Sequence, residues 1–129
     1  MKRLTWCLVI VLAVALAGAG SVEAAKKIKE RKGQVAYTFT NQTGVAAYGL
    51  VVTLSDKSIV VYGDDNRAGP FGNVKGNDTS KLTMTNPHEP IPESGQIDLT
   101  FQSYSKSLKV SQWWWLDSKG KRLGDKQKG

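Results

Sequence analysis

The chain is poor in the residues that build reactive centres. Its 129 residues hold one cysteine, Cys7, and one histidine, His88. Cys7 lies in the apolar N-terminal stretch, so the chain beyond residue 24 carries no thiol. That excludes cysteine nucleophiles, Cys/His zinc centres, blue-copper sites and disulfide staples. A Ser–His–Asp triad could draw only on His88. This residue sits beside Glu89 in the proline-rich "NPHEPIPESG" (86–95), where it reads as an exposed loop side chain. No G-x-S-x-G elbow, Walker loop or dinucleotide-binding glycine motif is present. Helical periodicity is also missing after residue 24. The expectation is a non-catalytic, all-β protein without a cofactor.

The one long apolar run is at the start. Lys2 and Arg3 precede "LTWCLVIVLAVALAGA" (4–19), 16 residues long. A membrane span needs about 20, so the run suits the apolar core of a signal peptide. "VEA" places Val22 and Ala24 around a cleavage point before Ala25. Left uncut, the same segment would act as an N-terminal anchor. A lipoprotein would carry its cysteine at the end of the run, whereas Cys7 is near the beginning. The reading is a signal peptide over 1–24, a secreted or periplasmic destination, and no transmembrane helix after cleavage.

Losing Lys2, Arg3 and Glu23 takes the formal net charge from +7 to +6. The positive charge is concentrated at the ends. "KKIKERK" (26–32) and "KGKRLGDKQK" (119–128) each hold five basic residues and one acidic residue, which leaves 33–118 slightly acidic. The expected organisation is a basic N-terminal segment (25–33), one domain (34–124) and a basic tail (125–129). Such ends serve solubility or contact an anionic surface.

Between the ends the chain alternates like β-structure. "QVAYTFT" puts Val35, Tyr37 and Phe39 on one face; "QIDLTFQSY" does the same with Ile97, Leu99 and Phe101, and "KLTMT" with Leu82 and Met84. In "VAAYGLVVTLS" Ala46, Tyr48, Leu50, Val52 and Leu54 are expected to share a face. "DKS" (56–58) reads as a turn before "IVVY", and "GDDNRAGPFGN" (63–73) as a loop. Six or seven strands with turns every 8–12 residues predict an antiparallel β-sandwich, with a small barrel as the alternative.

"FTNQTGVAAYGLVVTLS", followed much later by "WWWLDSKGKRLG", resembles small secreted bacterial proteins with an immunoglobulin-like or fibronectin-III-like β-sandwich. The resemblance covers residues 34–124. It implies a fold and a compartment but no activity, and its motifs are ordinary turn chemistry. This chain ends in a basic tail rather than in a sorting helix.

Several polar clusters invite a chemical reading. Asp64, Asp65 and Asp78 could offer oxygen ligands to Ca²⁺, which takes six to eight at about 2.3–2.6 Å. The spacing matches no EF-hand, and Asp is also the ordinary residue of β-turns. Asp64 and Asp65 are adjacent, which does not suit the two opposed carboxylates of a glycosidase. "NQT" (41–43) and "NDT" (77–79) fit glycosylation acceptors or plain turns.

The strongest feature is "LKVSQWWWL" (108–116). Strict alternation puts Leu108, Val110, Gln112, Trp114 and Leu116 on one face, and Lys109, Ser111, Trp113, Trp115 and Asp117 on the other. The first set is the more apolar, so Trp114 is expected in the core. Trp113 and Trp115 would then form a stacking surface flanked by Lys109, Lys119, Lys121 and Arg122. A polysaccharide or another anionic envelope component suits such a surface better than nucleic acid does. A β-bulge in the run would exchange the two faces, and the rings would then serve packing or a protein partner. The leading expectation is a non-catalytic binding module; an accessory subunit that binds another protein is second, and a hydrolase third.

Overall fold

The computed structural model describes residues 24–61, 71–104 and 107–129. Among these there are eight strands and no helix: β1 (Ala25–Arg31), β2 (Gln34–Thr40), β3 (Gly49–Val61), β4 (Phe71–Lys75), β5 (Thr79–Pro87), β6 (Gln96–Gln102), β7 (Val110–Leu116) and β8 (Arg122–Lys128). Every pairing is antiparallel. Among the described residues no helix is long and apolar enough to cross a membrane.

The strands form two sheets joined through β3. The first runs β1, β2, β6 and the end of β3, where Ile59–Val61 pair with Thr100–Gln102. The second runs β4, β5, the first half of β3, β7 and β8. The expected turn at 56–58 is instead a bend within one 13-residue strand. Ser55, Asp56 and Lys57 face water there, and the pairing with β5 breaks between Thr53 and Ser58. That irregularity turns β3 from one sheet into the other.

Alternation correctly assigns the inner faces of β2, β5 and β6. Val35, Phe39, Leu82, Met84, Leu99 and Phe101 are all buried to within 1 %. In β3, Leu50, Val52 and Leu54 point inward as expected. Ala46 and Tyr48 do not follow them, because the chain enters the strand at Gly49 and Ala47 takes the buried place. Gly49 is required at that entry, since a Cβ there would lie 2.9 Å from the Met84 carbonyl oxygen and 3.1 Å from the Leu116 side chain.

The basic ends are strands. Residues of the expected N-terminal segment pair along β2, closed by a two-residue turn with Gly33 at φ 74°. The expected tail extends β8 to Lys128. The expected 63–73 loop ends in β4, which begins at Phe71.

Asn41, wholly buried, fixes the β2–β3 connection. Its Nδ2 donates to the carbonyls of Val45 and Ile91 at 2.8 Å each, and to that of Pro92 at 3.2 Å. Its Oδ1 accepts from the Thr43 amide and hydroxyl. A fully bonded, buried amide is no acceptor for a glycan in the folded chain. The proline-rich connection is tied down as well, through a two-bond bridge between Ala47 and Ile91.

Candidate functional site

The three tryptophans divide two against one, and a bulge decides which is which. Thr53 pairs with Gln112 but Leu54 with Val110, leaving Ser111 as an extra residue in β7. Hydroxyls satisfy the irregular backbone: Ser111 Oγ donates to the Thr53 carbonyl at 3.0 Å, and the Gln112 amide donates to Thr53 Oγ1 at 3.1 Å. Beyond the bulge the pleat has changed sides.

The strict-alternation assignment is therefore inverted. Val110 is in the core, and so are Trp113 and Trp115, 1 % and 2 % exposed. Trp113 packs edge-on against Phe39 (5.1 Å between ring centres) and Trp115 (6.1 Å). Such pairs add about 0.5–1.5 kcal/mol beyond area burial. Trp115 Nε1 donates to the Thr40 carbonyl at 3.3 Å, whereas Trp113 Nε1 is buried without a partner. Both residues, with Trp114, line a cavity of about 230 Å³ to which Thr40, Thr43, Asp125 and Gln127 also contribute. Neither offers a free stacking face.

Trp114 lies on the outer face of the second sheet. It pairs with Val51 and forms a small apolar cluster with Val51 and Leu116. Cross-strand partners share a face, so the register defines its surroundings. On the β5 side are Lys81, Thr83 and Thr85, opposite Thr53, Val51 and Gly49. Beyond them Asn73 and Lys75 of β4 stand opposite Thr85 and Thr83. On the β8 side, Arg122 pairs with Leu116 and Lys128 with Gln112. Between these, β8 bulges with Gly124 at φ 68°, and residues 124–126 lie across from Trp114.

Two lysines close over the ring. Lys126 Nζ is 4.9 Å from the ring centre and Lys81 Nζ is 5.6 Å away, inside the range of a cation–π contact. They reach Trp114 from β8 and β5, on opposite sides of β7. With Lys75, Arg122 and Lys128 they make five basic side chains on a face whose paired positions hold no carboxylate among the described residues. Asp125 lies in the unpaired bulge across from Trp114 and lines the cavity, and Asp117 lies in the β7–β8 turn. The Asp117 carboxyl is held below its ordinary value, first by the Lys121 amide; the opposing effect of burial comes next, ahead of the lowering by the Lys119 amide and the two lysine charges.

Of the residues expected at a binding surface, Arg122 lies on this face. Lys119 and Lys121 occupy the turn beyond its end. Lys109 lies on the β1 side, where it adds to the lowering of the Glu30 carboxyl, whose main cause is the Lys27 ammonium bonded to it at 2.8 Å. Trp114, Lys75, Lys81, Lys126 and Lys128 were not singled out by periodicity. The available signal was "VSQW": two successive polar residues between two apolar ones mark a bulge.

Among the described residues the remaining candidates form no cluster. Asp64 and Asp65 lie outside the described residues. Asp78 is an exposed turn residue at φ 66°, its amide bonded to the Ser58 carbonyl. Among the described residues no group of three His, Cys, Asp or Glu side chains could hold a metal. His88 and Glu89 are exposed in the connection after β5.

In comparison with known proteins, no family model matches the chain, and neither a curated protein nor a solved structure matches it.

Proposed function

We propose that this chain is an exported, non-catalytic binding module that recognises a polysaccharide or another anionic component of the cell envelope. The observation that carries the reading is the outer face of the second sheet, with five basic side chains around Trp114 and no carboxylate at its paired positions. A sheet face of one charge sign attracts ligands of the other and accelerates their capture. In this reading residues 1–24 are the signal peptide, and the module works in the periplasm or outside the cell. The fold is read as an immunoglobulin-like sandwich, with β3 passing between the sheets as its departure from a strict two-sheet plan.

The reading as a protein-binding accessory subunit has less support. Pairing by a sheet edge needs a long bare edge; the edge strands β1 and β8 are rich in lysine, which opposes strand addition, and the other edges, β4 and the end of β3, are short.

The test follows tryptophan emission of the full chain while soluble envelope polysaccharides are titrated in. A saturable change that Trp114→Leu abolishes, with the fold intact by circular dichroism, supports the reading. If no polysaccharide or anionic envelope component changes the emission or is retained by the protein, the reading fails. Mass spectrometry of the exported protein checks the leader, with a mature chain starting at Ala25 expected.

A further inference from the structure

We infer that the Trp114 face reads charge rather than sugar rings, so that its ligand is a polyanionic polysaccharide bearing carboxylate, sulfate or phosphate groups. This rests on the binding-module reading and narrows it. Stacking against a sugar needs a bare aromatic face. Trp114 is only 9 % exposed, and ammonium groups from β5 and β8 lie over its ring. The indole acts instead as a mount for the two cations. Two nitrogens 4.9 and 5.6 Å from one ring centre lie within about 10.5 Å of each other. Neither has a carboxylate partner among the described residues, whose one ion pair is Lys27–Glu30. Holding both side chains against the ring removes part of the ordering cost that lysines otherwise incur on binding.

The size of the face favours a polymer. Lys75 on β4 and Lys128 on β8 mark its two sides, four strand spacings apart, which is roughly 19 Å. A single small anion would engage one end. Hydroxyls of Thr83 and Thr85 add neutral donors between the cations. Other anionic macromolecules fit less well. Single-stranded nucleic acid draws affinity from bases stacked on open aromatics, and Trp114 is capped. A membrane surface rewards projecting apolar side chains, whereas Val51 and Leu116 are 4 % and 5 % exposed.

The test titrates the full chain at 50 and 200 mM NaCl with four probes: dextran sulfate, uncharged dextran of equal length, a single-stranded oligonucleotide, and phosphatidylglycerol vesicles. The expected result is preference for dextran sulfate, with affinity falling on the order of 100-fold between the two salt concentrations through counterion release at about four contacts. Lys81→Gln combined with Lys126→Gln should weaken binding at least about tenfold and lessen the salt dependence. Near-UV circular dichroism confirms that this surface variant is folded. Equal binding of both dextrans, or binding indifferent to salt, overturns the inference and leaves the module reading standing. Preference for the oligonucleotide or the vesicles overturns the polysaccharide class. An unchanged double variant overturns the location. Binding of none of the four, nor of any envelope polysaccharide, overturns the inference and the module reading together.

Discussion

Trp113 and Trp114 are neighbours in sequence and opposites in environment. Trp113 is enclosed by Phe39 and Trp115 in the main core, with its indole nitrogen unbonded. Trp114 rests on a sheet surface beside Val51 and Leu116, under two lysines. The same side chain is thus a volume to be filled in one place and a support for charge in the other. The pleat separates the two roles, and one extra residue upstream, Ser111, decides which ring takes which.

Inserting one residue between Gln112 and Trp113 is the harshest test of that difference. With the Ser111 bulge in place, the added residue would turn Trp114 toward the core and withdraw Trp113 and Trp115. We expect loss of the cooperative urea transition and of the near-UV circular dichroism signal. Next in size, Trp113→Ala should cost about 3–5 kcal/mol, the usual result of emptying a buried aromatic site, read as a fall in the urea midpoint. Asn41→Ala should cost about 3 kcal/mol, because it removes a wholly buried amide and its bonds to the carbonyls of the β2–β3 and β5–β6 connections. Trp114→Ala should cost less, about 2 kcal/mol, since the ring is largely buried against Val51 and Leu116 but water can fill part of its place beneath flexible lysine stems. If Trp113→Ala and Trp114→Ala prove equally costly, the division into core and surface is wrong.

The smallest effect concerns acid. In the folded chain the Asp117 carboxyl titrates below its ordinary value of 3.8. Its contribution is therefore complete above that value and is lost as the pH falls through the folded value. Asp117→Asn should lower the urea midpoint slightly at pH 7, and the variant and the original should converge as the pH drops below 3.8. An unchanged gap at low pH would remove Asp117 from the turn's stability.

The sequence disclosed its regular strands and hid its irregular ones. β2, β5 and β6 were legible because each shows a wet and a dry face in strict alternation. β1 was not, because "AKKIKER" has no dry face; it pairs through backbone hydrogen bonds at a sheet edge. The bend in β3 looked like a turn because Ser55, Asp56 and Lys57 are polar, although Ser58 beside them is 2 % exposed. The site was hidden for two reasons. The bulge reversed the parity of the tryptophans, and Lys81 came from a strand 33 residues away, which no local period can register. Only the basic character of the C-terminal segment carried over, through Arg122, Lys126 and Lys128.

The shared strand has a consequence for how the chain acquires its structure. The first half of β3 needs β5 and β7, and its end needs β6. Neither sheet can be completed while residues 96–116 are missing, so no half of the protein can form first and template the other. Nearly every pairing of β3 closes a long loop, which places folding among the slow topologies of milliseconds to seconds. During synthesis β3 can take β5 as a partner once Pro87 has emerged, but it stays half-paired until the last third of the chain delivers β6 and β7.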